Sequence, residues 1–314
     1  MTSLRFVSFI AGFAALAVAA TVPAAAQGPA AYVISDSTTG FVLEQFAGTK
    51  KRPVASLTKI ASALVVLDWA SQTKADLSQL ATVPNSAGRL GTPQGVGFQP
   101  GDQCSLRDLI YAALMQSDNV AAETLAVHVG GEFRSAQLPP GDAFVAQMNA
   151  LARQLGMLQT RFLNAHGLDH LERSVPVSTA TDLAKLTGYA MRSTGFRFYV
   201  SQKERKITFI TSTGEPSAYL LRNTNELLGG NAIDGVKTGS TARAGQCVII
   251  SAAKAPETRQ QGTEHIVTPR RLNVVVLGSN DRFNVASGLL QRGWRLYDSW
   301  SASGRPMKGW RAPQ

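Results

Sequence analysis

Strand-like segments lie at both ends of this chain, with a helix-rich block between them. AYVISD and FVLEQFA alternate apolar with polar residues around Ser37-Thr38-Thr39-Gly40, a hairpin signal. KITFI, YLLRN, QCVIISAA and LNVVVLG read as strands in the last third, and RFNVASGLLQRGWRLYDSW as a closing amphipathic helix. This order predicts an α/β domain. Its antiparallel sheet is assembled from both termini, is flanked by helices and carries an inserted helical subdomain.

Local signals fill in the helical block. Ser56 to Leu67 contains IASALVVL, apolar around most of the helix circumference, so this helix belongs in the centre. SLRDLIYAALMQ starts at a capping Ser105 with Asp108 three residues on, and Thr179 with Asp182 repeats the pattern before DLAKLTGYAMRS. NVAAETLAVHV and DAFVAQMNALARQLG are further helices, separated by the surface insertion GGEFRSAQLPPGD. Residues 76–103 are rich in Gly, Pro and polar residues and predict loops with short strands.

Arg5 is the single charge in the first 26 residues, and FVSFIAGFAALAVAA followed by Ala24-Ala25-Ala26 predicts a cleaved export signal. Removing 26 of the 314 residues leaves 288, read as one domain over residues 27–300 and a polar, basic tail over 301–314. The formal charge of +10 becomes +9 without Arg5. A basic exported chain suits an anionic envelope, in the periplasm or at the cell surface. Its basic residues are scattered and form no nucleic-acid motif. In the tail, Trp300, Arg305, Lys308, Trp310 and Arg311 mix aromatic with basic character, but Gly304, Pro306, Gly309 and Pro313 break any amphipathic helix. Weak, peripheral membrane contact is the most such a tail predicts. Cys104 and Cys247 fit either one disulfide or two buried thiols. His166 and His170 lie four apart, but Gly167 between them predicts a loop rather than a metal-binding helix.

Three short motifs carry the chemistry. Ser56-Leu57-Thr58-Lys59 puts a hydroxyl and an amine three residues apart, on one face of a helix start. Ser117-Asp118-Asn119 follows 61 residues after Ser56, and Lys237-Thr238-Gly239 lies 120 residues beyond Ser117. Each alone is weak; the ordered set of S-x-x-K, S-D-N and K-T-G is a signature of penicillin-binding proteins and class A β-lactamases. Ser56 is the candidate nucleophile, and Lys59 the candidate base once its surroundings favour the neutral amine.

On these residues the chain resembles the serine-type D-alanyl-D-alanine carboxypeptidases, which are low-molecular-mass penicillin-binding proteins. The likeness extends through RPVASLTKIASALVVLD, FVAQMNALARQLGMLQTRFLNAHGLD, LLRNTNELL and DGVKTGSTARAGQCVIISA. It implies a β-lactamase/transpeptidase-like fold and hydrolysis of the terminal D-alanine of peptidoglycan stem peptides through an acyl-serine, without metal or cofactor. It also implies covalent inhibition by β-lactams. In the roles implied, Ser117 relays a proton to the leaving amine, and Asn119 holds Lys59 and the substrate amide. Lys237 and Thr238 take the substrate carboxylate, Gly239 leaves room for its backbone, and the N–H groups of Ser56 and Ser240 form an oxyanion hole. The family's C-terminal β-rich domain has no counterpart here, and the insertion after Val129 is unusual. No E-x-x-L-N string lies between Ser117 and Lys237, which speaks against efficient β-lactam hydrolysis. A D,D-endopeptidase acting on cross-links is the near alternative, and a catalytically silent wall-binding module a distant one.

Overall fold

The structure, a computed structural model, describes residues 28–91, 95–133, 138–169 and 174–309. The expected export signal, His170, Trp310 and Arg311 lie outside the described residues. From the N-terminus, β1 (Ala31–Asp36) and β2 (Val42–Phe46) form the expected hairpin, and β3 (Arg52–Pro53) leads toward helix α1 (Lys59–Thr73). Strands β4 (Leu80–Thr82) and β5 (Gln103–Ser105) precede α2 (Leu106–Met115), α3 (Asn119–Glu132) and α4 (Pro140–Gln154). After β6 (Val177–Ser178) come α5 (Ala180–Arg192) and α6 (Thr194–Val200). Strands β7 (Glu204–Ile210), β8 (Pro216–Arg222), β9 (Ile233–Thr241), β10 (Gly245–Gln261) and β11 (Glu264–Ser279) lead into α7 (Arg282–Ala302).

The two ends of the chain meet in a five-stranded antiparallel sheet of order β2-β1-β11-β10-β9. Side chains alternate between its faces, as strand geometry requires. Val33, Cys247, Ile249, Val275 and Leu277 pack into the core shared with α1 to α6. Ile34, Val248, Ile250, Val274 and Val276 pack beneath α7 against Leu290, Trp294 and Tyr297. Burial on both faces explains why CVII and VVVL, within QCVIISAA and LNVVVLG, are apolar without interruption. Helix α1 is buried around its circumference, from Ile60 to Val66, as its composition requires. Both N-caps form: Asp108 N donates to Ser105 Oγ at 3.1 Å, and Asp182 N to Thr179 Oγ1 at 3.0 Å.

The strands read in the sequence divide between two sheets. KITFI and YLLRN belong to a separate four-stranded sheet of order β4-β5-β7-β8. Cys104 sits in that sheet and Cys247 in the larger one; both are free, buried thiols, pushed up to about 12 and about 11 by burial. Strands β10 and β11 run well beyond their apolar segments as a ribbon in which they pair mainly with each other. Tail residues fold back onto the domain. Trp300, offered above to a membrane surface, is 1% exposed, stacks on Phe41 and donates from Nε1 to Pro306 O at 3.0 Å. Among the described residues no helix is long and apolar enough to cross a membrane.

Candidate active site

Ser56 lies in a 3₁₀ turn, Ala55–Thr58, that feeds directly into α1. One turn on, Lys59 is 0% exposed, and its Nζ has three oxygen partners. Ser56 Oγ lies 2.8 Å away, Asn119 Oδ1 2.7 Å and the main-chain oxygen of His166 2.7 Å. Burial pulls the Lys59 amine down from 10.5 to about 7, against the Asp118 carboxylate, which raises it. A neutral amine fits this geometry: it donates two protons to the two carbonyl oxygens and turns its lone pair to the Ser56 hydroxyl. An ammonium would donate to all three. Near neutrality both forms are populated.

The S-D-N turn joins α2 to α3. Asp118 caps α3 by accepting from Ala121 N at 2.8 Å, and its other oxygen accepts from Val96 N at 2.8 Å. The cap fixes Asn119 as the first residue of α3, under Lys59. Ser117 just before it has φ 65°, a conformation unusual for a residue with a Cβ, and its side chain is partly exposed.

Strand β9, at the edge of the large sheet, brings Lys237 to Ser240 across from the Ser56 turn. A Cβ on Gly239 would lie 3.0 Å from Ser56 N, so only glycine lets the strand approach this closely. Ser56, Ser117, Asn119, Thr238, Gly239 and Ser240 line one open cavity of about 470 Å³. Lys59 and Lys237 lie buried at its margin. Lys237 Nζ donates to Thr238 O at 2.8 Å. Burial, then the charges of Lys59 and Arg282, hold its amine well below the usual lysine range.

Three contributors have no place in the motif reading. His166 supplies a main-chain acceptor to Lys59; its loop docks through Gly167, where φ is +84° and a Cβ would meet Ala55 O at 2.0 Å. Thr224 lines the cavity, and its Oγ1 lies 2.6 Å from Thr238 Oγ1 and 3.2 Å from Met115 O. Arg282, at the start of α7, lines the same cavity and donates from Nη1 to Gly239 O at 3.3 Å. Burial lowers its pKa, yet a guanidinium keeps its charge in proteins. HGLD and LLRNTNELL were visible as family-like stretches without a role; nothing in the sequence singled out Arg282. Among the described residues no group of three His, Cys, Asp or Glu could hold a metal ion.

Residues 17–260 match the peptidase S11 family, described as D-alanyl-D-alanine carboxypeptidase. The chain belongs to that family. The carboxypeptidase DacC of Escherichia coli strain K12 is 33% identical over 304 residues, which is 93% of this chain and 68% of DacC. Of another curated carboxypeptidase relative the chain spans 52%. The crystal structure of the Streptomyces K15 DD-transpeptidase superposes with a TM-score of 0.71 at 26% identity, covering 86% of this S11 chain and 97% of that one. Penicillin-binding protein D2 of Listeria monocytogenes, in its cefotaxime-bound form, superposes with a TM-score of 0.64 at 28% identity, covering 87% and 100%. The architecture of this carboxypeptidase-family chain is thus the β-lactamase/transpeptidase-like one that the motifs implied.

Proposed function

We propose that this chain is a serine D-alanyl-D-alanine carboxypeptidase of the cell envelope. The observation that carries the reading is the buried Lys59 amine, held near neutrality 2.8 Å from Ser56 Oγ. Neutral Lys59 accepts the Ser56 proton as Oγ attacks the carbonyl of the penultimate D-alanine. The ammonium that results is stabilised by Asn119 Oδ1, His166 O and the Asp118 carboxylate. Negative charge on the tetrahedral oxygen is taken by the Ser56 and Ser240 N–H groups, worth about 3 kcal/mol per donor in comparable sites. Ser117 passes a proton to the departing amine of D-alanine, and water then releases the acyl group from Ser56.

Arg282 and Thr238 hold the free carboxylate of the leaving residue. Lys237 assists: burial and the charges of Lys59 and Arg282 hold its amine below the usual lysine range, and an arriving carboxylate raises it again. Family membership and the cefotaxime-bound Listeria relative support β-lactams as covalent inhibitors and peptidoglycan stem peptides as substrates. We assign residues 1–26 to an export signal, 27–300 to the catalytic domain and 301–314 to a tail, and place the processed protein in the periplasm or cell envelope. The test is release of D-alanine from a stem pentapeptide by the processed protein and by Ser56→Ala. The parent should release it and the variant should not; equal release by parent and variant would refute Ser56 as nucleophile.

A further inference from the structure

A second groove, of about 540 Å³, opens beside the catalytic cavity and shares Gln116, Asn223 and Thr224 with it. Its remaining wall is β8, through Tyr219, Leu220 and Arg222. Strand β8 is the end strand of the four-stranded sheet, bonded to β7 on one side. Asn223 N donates to Lys203 O, on the β7 side, whereas Arg222 N donates to Gln116 Oε1. Because main-chain groups alternate along an antiparallel strand, those of Ala218 and Leu220 also turn away from β7. Leu220 is 46% exposed, so an apolar side chain lies beside this edge.

We propose that the free edge of β8 and the groove beside it bind a peptide leaving group longer than D-alanine, the acceptor stem of a cross-linked substrate. The inference rests on the reading of Ser56 as the nucleophile toward D-alanyl bonds. Position assigns the leaving side. Asn119 marks where the acyl half lies; Ser117 faces the leaving amine, and Gln116 is the next residue back along the chain toward the groove. Thr224, on the wall shared by the two cavities, touches the Thr238 hydroxyl that holds the leaving residue's carboxylate. A leaving residue whose carboxylate is held there joins its stem through its side chain, and a stem directed to the shared wall passes Thr224 and Gln116 and meets β8. Seven residues of β8 extend roughly 20 Å, longer than a four-residue stem at about 3.4 Å per residue. The added segment pairs with Ala218 and Leu220 as a further strand, a recurring mode of peptide recognition. Arg222, in a weak exposed pair with Glu204 at 3.3 Å, offers a cation to the carboxylates of the stem.

The experiment compares kcat/KM of the processed protein on a monomeric pentapeptide muropeptide and on a cross-linked tetrapeptide dimer. Two variants lie outside the catalytic cavity. Ala218→Pro removes an outward N–H at an edge position that tolerates proline, and Leu220→Glu sets a negative charge against an anionic stem. Each should lower cleavage of the dimer about tenfold, the loss expected for a hydrogen bond at the upper end of its range. Pentapeptide hydrolysis and acylation by benzylpenicillin should change less than about twofold; agreement between the two variants guards against misfolding of one. Equal losses on both substrates would assign the groove to the acyl-side stem that the substrates share, and overturn the proposal. So would undiminished dimer cleavage by both variants, or a parent that cleaves pentapeptide but never the dimer. A parent inactive on both substrates and not acylated by penicillin would instead refute the D-alanyl reading, and the groove assignment with it.

Discussion

Lys59 is where the chemistry depends most on a single side chain. A shift from 10.5 to about 7 corresponds to roughly 5 kcal/mol against the charged amine. That penalty makes the amine a usable base, so acylation by benzylpenicillin should accelerate as pH rises through about 7, following deprotonation of Lys59. A rate unchanged between pH 5.5 and 8.5 would contradict this assignment. Lys59→Arg should abolish acylation, by roughly 10³-fold or more, because a guanidinium does not release its proton. Thr224 allows a subtler test. Its hydroxyl donates to Met115 O and accepts from Thr238 Oγ1, which orients the Thr238 hydroxyl at the cavity wall, so Thr224→Val should raise KM for a D-alanine-terminated peptide several-fold. Thr224→Ser should restore it; failure of serine to rescue would leave only a packing role. At this scale the motifs located residues that lie near one another: Ser56, Ser117, Asn119 and Thr238 line one cavity, Lys59 bonds Ser56 and Asn119, and Lys237 bonds Thr238; their roles are those proposed above. The sequence was silent on the His166 oxygen, since any residue offers a main-chain acceptor. It was silent on Arg282 too, because its distance from Gly239 along the chain is set by the length of an unpredicted ribbon.

Among the elements, those with strong periodicity or caps were legible: the β1–β2 hairpin, α1, α2, α5 and α7 stand where their patterns put them. Helix α6 was not, having only seven residues, although Ser193 caps it by accepting from Phe196 N at 3.2 Å. The outer parts of β10 and β11 were missed because neither face is buried there, so TRQQ and TEHI show no apolar alternation. Division of the strands into two sheets was equally hidden, since pairing partners leave no local mark. Two glycines join these elements to the site and separate fold from function. Gly167→Ala places a Cβ against the Ala55 main chain at positive φ and should cost about 2–4 kcal/mol of stability, read by urea denaturation. Gly239→Ala sets a Cβ 3.0 Å from Ser56 N and 3.2 Å from Leu57 N, so β9 must draw back a few tenths of an ångström; it should slow acylation while costing less stability than Gly167→Ala. A large drop in midpoint for Gly239→Ala together with normal acylation would reverse that division.

Over the whole molecule, the sheet built from both termini holds the edge strand β9 against the turn at Ser56, while the inserted helices carry Ser117 and Asn119. The chain order of strands and helices implied this arrangement, and the two-faced burial of β10 and β11 supplies its rigidity. Such a site weakens the fold in a pH-dependent way. An unfolded lysine keeps its proton to about 10.4, whereas folded Lys59 releases it at about 7, so between these values the unfolded chain binds more protons. Wild type should therefore gain stability relative to Lys59→Met as pH rises from 7 to 9.5; a difference independent of pH would mean that Lys59 keeps an ordinary pKa. Ser56 as the acylated nucleophile can be read by intact-mass spectrometry of the processed protein after benzylpenicillin. One adduct with the mass of the intact drug is expected on the parent, mapped to the peptide containing Ser56, slow to hydrolyse and missing from Ser56→Ala. An adduct of the same mass and yield on Ser56→Ala would contradict that assignment.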